Sequence, residues 1–479
     1  MNTTMSHTIR TTRLAAAAFA CAAAGMLATL AGTAHAAGEA KNVIFFLGDG
    51  MGPVTVTAAR IYKGEKQLAA KPGSMASPER ASLVMQSLPY AARVKTFSLD
   101  GQTTDSAPSM AAYMTGVKMR NEVISMSSDT TAVDSTGKQY INGENTTCPP
   151  TNGKAADTLL ELAKAKGRAV GAVSTTRVGH ATPATTYAHI CNRNGYNTIA
   201  EQSVPGHANY NPKLLDGIDV LMGGGQRNYL AGAGTKRTDG VDLVAAMKAK
   251  GYTYVDNGTR LKAVDAAATG KLLGLFSSSE MAYELDRVKQ NLDQPSLSDM
   301  TEKALGVLSK NDKGFFLMVE GGRIDHALHG TNAKRALEDT LAFDTAIQTA
   351  LDYMNKKDPG LKNTLVWSRP TTTMRWPSTA TPRSATRSWA WSMATPTASP
   401  PRRPTASRTP RWCSATADGP TRPPAATSTP RTATRSGSPR PARRAATTRA
   451  RWTPPTTTSC RKSASTWVPP ARKRTAAAT

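Results

Sequence analysis

Asn42-Val-Ile-Phe-Phe-Leu47 runs straight into Gly48-Asp-Gly-Met-Gly52. A short apolar run cut off by glycines predicts a buried strand that ends in a tight loop. The same device recurs twice. Ile218 to Met222 ends in Gly223-Gly-Gly225, and Phe315 to Val319 ends in Glu320-Gly-Gly322. Ala169 to Ser174 is a further apolar strand. Ala155 to Lys166 and Ala333 to Leu351 carry helical periodicity instead. Strands alternating with helices predict an α/β fold, with a large, mostly parallel central sheet and helices on both faces. In such sheets ligands sit at the carboxyl ends of the strands. The polar residues of interest lie mostly just past those ends.

The chain has 479 residues, enough for one large domain or two ordinary ones. Residues 1–36 read as a signal peptide. Arg10 and Arg13 precede an Ala-rich apolar stretch from Leu14 to about Leu30, and Ala34-His35-Ala36 supplies the cleavage pattern. The expected protein is secreted, periplasmic or extracellular, with no membrane anchor. Export implies an oxidising compartment in which Cys148 and Cys191 are available to pair.

Residues 37–366 read as the catalytic domain. After Val366 the composition changes abruptly. Residues 367–479 contain no Leu, Ile, Phe, Tyr, Glu or His, and they hold all seven Trp. They also hold 21 of the 60 Lys and Arg against the single acid Asp418, so the tail supplies most of the net charge of +26. Specific nucleic-acid binding is therefore not expected. So Pro/Thr/Arg-rich a segment cannot build a core and reads as disordered. Its onset in the middle of the apolar strand Asn363-Thr-Leu-Val366 points instead to a reading-frame slip. In the shifted frame, residues from Trp367 onward can read V-T-A-D-H-D-H-A, and residues near Arg472 can read E-T-H-G-G.

Asp49 follows a strand among glycines, where a carboxylate can hold a hard cation. Asp-Gly is also an ordinary turn, and pattern alone favours the turn. Ser106, in Thr104-Asp-Ser-Ala-Pro-Ser109, falls at a loop-to-helix junction. Such a junction can receive a phosphate on free amides, or Asp105 or Ser106 can simply cap the helix. Asp325 and His329 stand four residues apart and share one helix face, a pairing that suits zinc. Glu320 precedes them at a strand end, where it could hold magnesium. His326 points away from Asp325 and reads as outside the ligand set or exposed. Arg193 could grip two phosphate oxygens, although exposed arginines are commoner. His189 and His207 read as structural or surface residues.

Taken in order, these residues resemble the alkaline phosphatase family over roughly residues 40–366. Thr175-Thr-Arg-Val178, Tyr187-Ala-His189 and Asn192-Arg-Asn194 look like its animal-type branch, here in a bacterial secreted enzyme. The resemblance implies a phosphomonoesterase with two zinc ions and one magnesium. Asp49 would bridge magnesium and zinc, Thr182 and Glu320 would complete the magnesium site, and Asp325 and His329 would bind the other zinc. Ser106 would be the nucleophile that becomes phosphorylated, Arg193 would bind phosphate, and His180 would stand just behind the magnesium ligands. It implies small phosphate monoesters as substrates and leaves a homodimer open. The family's D-H-x-H and E-T-H-x-G segments are missing as written, yet both are permitted in the shifted frame. The alternative is an inactive, truncated remnant that binds metal or phosphate without turnover. A sulfatase or phosphodiesterase fits less well, because Asp105-Ser106-Ala107 is the wrong context for the first and Arg193 is foreign to the second.

Overall fold

The computed structural model describes residues 40–370 apart from Arg93 and Ala233, together with the backbone of Met393 and Ala394. The expected signal peptide and nearly all of the basic tail lie outside the described residues.

Alternation decides how the first strand is buried. In β1 (Asn42–Gly48), Ile44 and Phe46 join one apolar cluster, while Phe45 and Leu47 join another on the opposite face. In β6 (Phe315–Gly321), Phe315, Leu317 and Val319 face the first cluster, and Phe316 and Met318 face the second. Successive side chains of a strand point to opposite faces, so a continuous apolar run needs cover on both. On one face the cover is α1 (Pro53–Ala70), α5 (Leu297–Leu308) and α7 (Ala333–Lys357). On the other it is α2 (Ser106–Thr115) and α3 (Leu159–Ala165).

Between these layers stand β2 (Ala169–Arg177), β3 (Val220–Gly224), β4 (Tyr252–Val255), β5 (Lys271–Leu275) and β7 (Thr364–Pro370). The order across the sheet is β4-β5-β3-β2-β6-β1-β7, and every neighbouring pair is parallel. Met393 and Ala394 pair antiparallel with Trp367 and Val366 beyond β7. The mostly parallel sheet covered on both faces is thus as the alternation predicts.

One boundary differs from expectation. The helix predicted from Ala155 starts at Leu159, because Thr158 accepts from the Glu161 N–H and the Glu161 carboxylate accepts from the Thr158 N–H, which fixes the first turn there. The strand interrupted by the change of composition at Val366 runs on past it. Register with β1 continues from Asn42↔Thr364 to Gly48↔Pro370. Ladder hydrogen bonds involve only the backbone, so the change of composition does not stop the strand. Trp367 even packs edge-on against Phe45, with ring centroids 5.0 Å apart.

Candidate active site

The predicted residues come from four places in the chain and meet at the carboxyl ends of β1, β2 and β6. Register brings Leu47, Ser174 and Glu320 level across these three strands. Asp49 follows β1 and is fully buried. Glu320 lies near the end of β6, also fully buried. Ser174 Oγ donates to Glu320 Oε2, and Thr176 Oγ1 lies 3.1 Å from the same oxygen. These two residues share a strand face at a spacing of two, a signal that sequence reading passed over.

Ser106 is the first residue of α2, and its hydroxyl sits 2.9 and 3.0 Å from the two carboxylate oxygens of Asp49. Asp105 caps the helix by accepting from the Ala107 N–H at 3.1 Å. The same carboxylate is paired with Arg193. The aspartate therefore caps the helix, and the serine after it stands at the helix N-terminus. The guanidinium of Arg193 also lies 3.0 Å from His180 Nε2.

His180, expected just behind the metal ligands, comes together with Asp49 and Glu320. Among the described residues these three bring possible donor atoms within 4.8 Å of one another. Thr182 lies beside His180 on α4 (Ala181–Ala184) and is fully buried. Thr182 Oγ1, Glu320 Oε1 and His180 Nδ1 are buried without a hydrogen-bond partner. Buried polar atoms are normally satisfied, so each of these three is a group that a ligand could still complete.

Asp325 and His329 lie on α6 (Arg323–His329), on one face as predicted, with His329 Nε2 3.4 Å from Asp325 Oδ2. Asp325 is buried, whereas the His329 side chain is 66% exposed. Gly50 lets α6 approach the loop after β1. Its φ is +62°, and a Cβ there would stand 2.4 Å from Asp325 Oδ1. Of the two readings left open for His326, outside the ligand set or exposed, the first describes it. It is not exposed but packs edge-on against His180, centroids 5.3 Å apart, with Nδ1 2.7 Å from the Arg323 guanidinium. Burial and then Arg323 hold its pKa down at about 4.

The acids repel one another. Burial and then Asp49 push Glu320 up to about 8, and the same causes push Asp325 up to about 8. Farther out, Cys148 and Cys191 form a disulfide. It lies two residues from Arg193 and beside Ile190, which forms a bridge with Ile124. His189 is structural: Nδ1 donates to the Ser125 carbonyl at 2.7 Å, and Nε2 is 2.6 Å from Glu161 Oε1. His207 accepts from the Asn209 N–H at 3.2 Å in an exposed loop.

The alkaline phosphatase family model matches residues 40–370. The tissue-nonspecific alkaline phosphatase of Rattus norvegicus is 41% identical over 344 residues, which cover 67% of this chain and 61% of that protein. Its Homo sapiens counterpart is 40% identical with the same coverage. The crystal structure of Thermus thermophilus alkaline phosphatase is 30% identical, with a TM-score of 0.56 over 70% of this chain and 60% of that one. A variant of the alkaline phosphatase of the Antarctic bacterium TAB5, 25% identical with a TM-score of 0.50 over 70% and 79% of the two chains, was solved with Mg bound in its M3 site. This chain spans about three fifths of the length of the mammalian relatives it matches. The match runs from β1 to the last residue of β7 and so takes in every residue of the cluster at the sheet's edge: the chain belongs to the alkaline phosphatase family.

Proposed function

We propose that the chain carries the framework of a secreted alkaline phosphatase, which hydrolyses phosphate monoesters with Ser106 as the nucleophile. The observation that carries this reading is the placement of Ser106 Oγ, at a helix N-terminus, within hydrogen-bond distance of both oxygens of buried Asp49. Asp49 orients the hydroxyl. The Arg193 guanidinium, aligned by Asp105, supplies two parallel donors for the non-bridging oxygens of a phosphoryl group. The α2 N-terminus adds its positive end. Ser106 Oγ bonds to phosphorus as the ester oxygen leaves as the alcohol, which takes up the serine's proton. Water then displaces the serine oxygen, giving one of its protons to Oγ as phosphate departs.

The resemblance assigns one magnesium and two zinc ions, which when bound supply Lewis-acid stabilisation of the attacking and leaving oxygens. Magnesium fits this chain. Asp49, Thr182 and Glu320 offer hard oxygen donors, and Thr182 Oγ1 and Glu320 Oε1 are otherwise unsatisfied. Zinc fits only in part. Asp325 and His329 give two donors besides Asp49, fewer than two zinc sites need among the described residues. The residues still wanted are those of the D-H and E-T-H segments in the shifted frame. That shortage favours the second reading for the chain as written, a remnant that binds metal or phosphate without turnover. The disulfide supports export, and among the described residues no helix is long and apolar enough to cross a membrane. A homodimer, to be tested by light scattering, is the assembly the family implies.

Turnover of p-nitrophenyl phosphate with Zn2+ and Mg2+ tests this. The chain with the frame restored after Val366 is expected to turn over, and its Ser106→Ala variant to lose at least about a hundredfold. The 479-residue chain as written is expected to show little or none. Near-normal turnover by that chain, or by the Ser106→Ala variant, would overturn the respective claim.

A further inference from the structure

Arg193 is held from behind by a turn that no sequence motif announces. Glu122 occupies that turn with a φ of +71°, in the left-handed region that residues other than glycine seldom adopt. Its backbone N–H donates to Asp105 Oδ2 at 2.6 Å. Its backbone carbonyl accepts from the Arg193 N–H at 2.8 Å. One residue thus ties both members of the Asp105–Arg193 pair. Its side chain turns to the same place, where Oε2 accepts from Asn194 Nδ2 at 2.9 Å. Burial and then Asp105 raise the Glu122 pKa, while the nearby Arg193 lowers it.

Glycine would take this backbone conformation without strain and leave every one of the backbone bonds in place. A carboxylate here therefore adds something the turn does not need: a second negative charge behind the guanidinium. We propose that Glu122 is a positioning residue that sets how tightly the Arg193 clamp holds phosphate, its backbone fixing the Asp105–Arg193 pair and its carboxylate weakening the grip on a dianion. The inference rests on the reading of Arg193 as the phosphate clamp. A weaker grip speeds departure of the phosphate product, which is the end of each turnover.

The test is calorimetric titration of inorganic phosphate into the full chain with Zn2+ and Mg2+ present. Glu122→Gln removes the charge, and Glu122→Gly removes the side chain while suiting the left-handed backbone. Both variants are expected to bind phosphate about fivefold more tightly, the scale of removing one nearby, partly screened charge. A purely structural role would lower the melting temperature without tightening the binding. If Arg193→Ala abolishes binding and both Glu122 variants match or fall below the unsubstituted chain, this inference alone falls. If Arg193→Ala leaves phosphate binding as it was, the clamp reading falls and takes the inference with it.

Discussion

Asp339 shows what burial does to a single acid when it outweighs a nearby cation, here Arg323. It lies on α7, is only 6% exposed, and its nearest donor is the Glu284 N–H at 3.3 Å. Burial pushes its pKa up to about 8. The folded protein therefore holds a proton on this group between pH 4 and 8 that the unfolded chain releases. Stability falls as pH rises through that window, and the loss is complete above pH 8. Asp339→Asn keeps an acceptor for Glu284 and removes the charge. It is expected to leave stability at pH 4 nearly unchanged and to raise it at pH 9 by on the order of 5 kcal/mol. Chemical denaturation at the two pH values checks this, and equal effects at both would refute it. Other single residues differ in how plainly the sequence announces them. Asp325 and His329 share a helix face because four residues make about one turn, and spacing alone reveals that. His180 joins Asp49 and Glu320 through the path of the loop after β2, which no spacing encodes. Glu122 carries no signal at all, since its left-handed backbone is set by partners at Asp105 and Arg193.

At the scale of elements, the capping box of α3 has a measurable consequence. Thr158 is fully buried, and its Oγ1 accepts from the Glu161 N–H and donates to the Thr186 carbonyl at 2.7 Å. Thr158→Ala is expected to destabilise the fold by about 1–2 kcal/mol, as loss of a good N-cap does. Urea unfolding with an unchanged m-value would show it, and a change below about 0.3 kcal/mol would contradict the cap. Strands such as β1 and β6 were legible because an apolar run closed by glycine has few other uses in a chain this long. Their order was not, since parallel neighbours come from distant segments. The end of β7 was hidden for another reason. Trp367-Ser-Arg-Pro370 lacks the composition of a strand, yet it continues a backbone ladder that β1 dictates.

For the whole molecule, the Cys148–Cys191 bond closes a loop across 43 positions of sequence. In the chain-entropy account, a loop of that size stabilises the fold by about 4 kcal/mol. Reduction, or the double change to serine, is expected to lower the melting temperature and loosen the segment that carries Arg193. Phosphate binding should weaken along with it. A reduced protein that melts as the oxidised one does would show that the crosslink constrains little. The placement of β1 has a consequence for the timing of synthesis. Its neighbours are β6 and β7, so about 270 residues are made between the end of β1 and the start of β6. At typical elongation rates the run Ile44-Phe-Phe-Leu47 waits on the order of half a minute with neither flank covered. A nascent chain in that condition must be shielded by a chaperone or kept unfolded until it is complete.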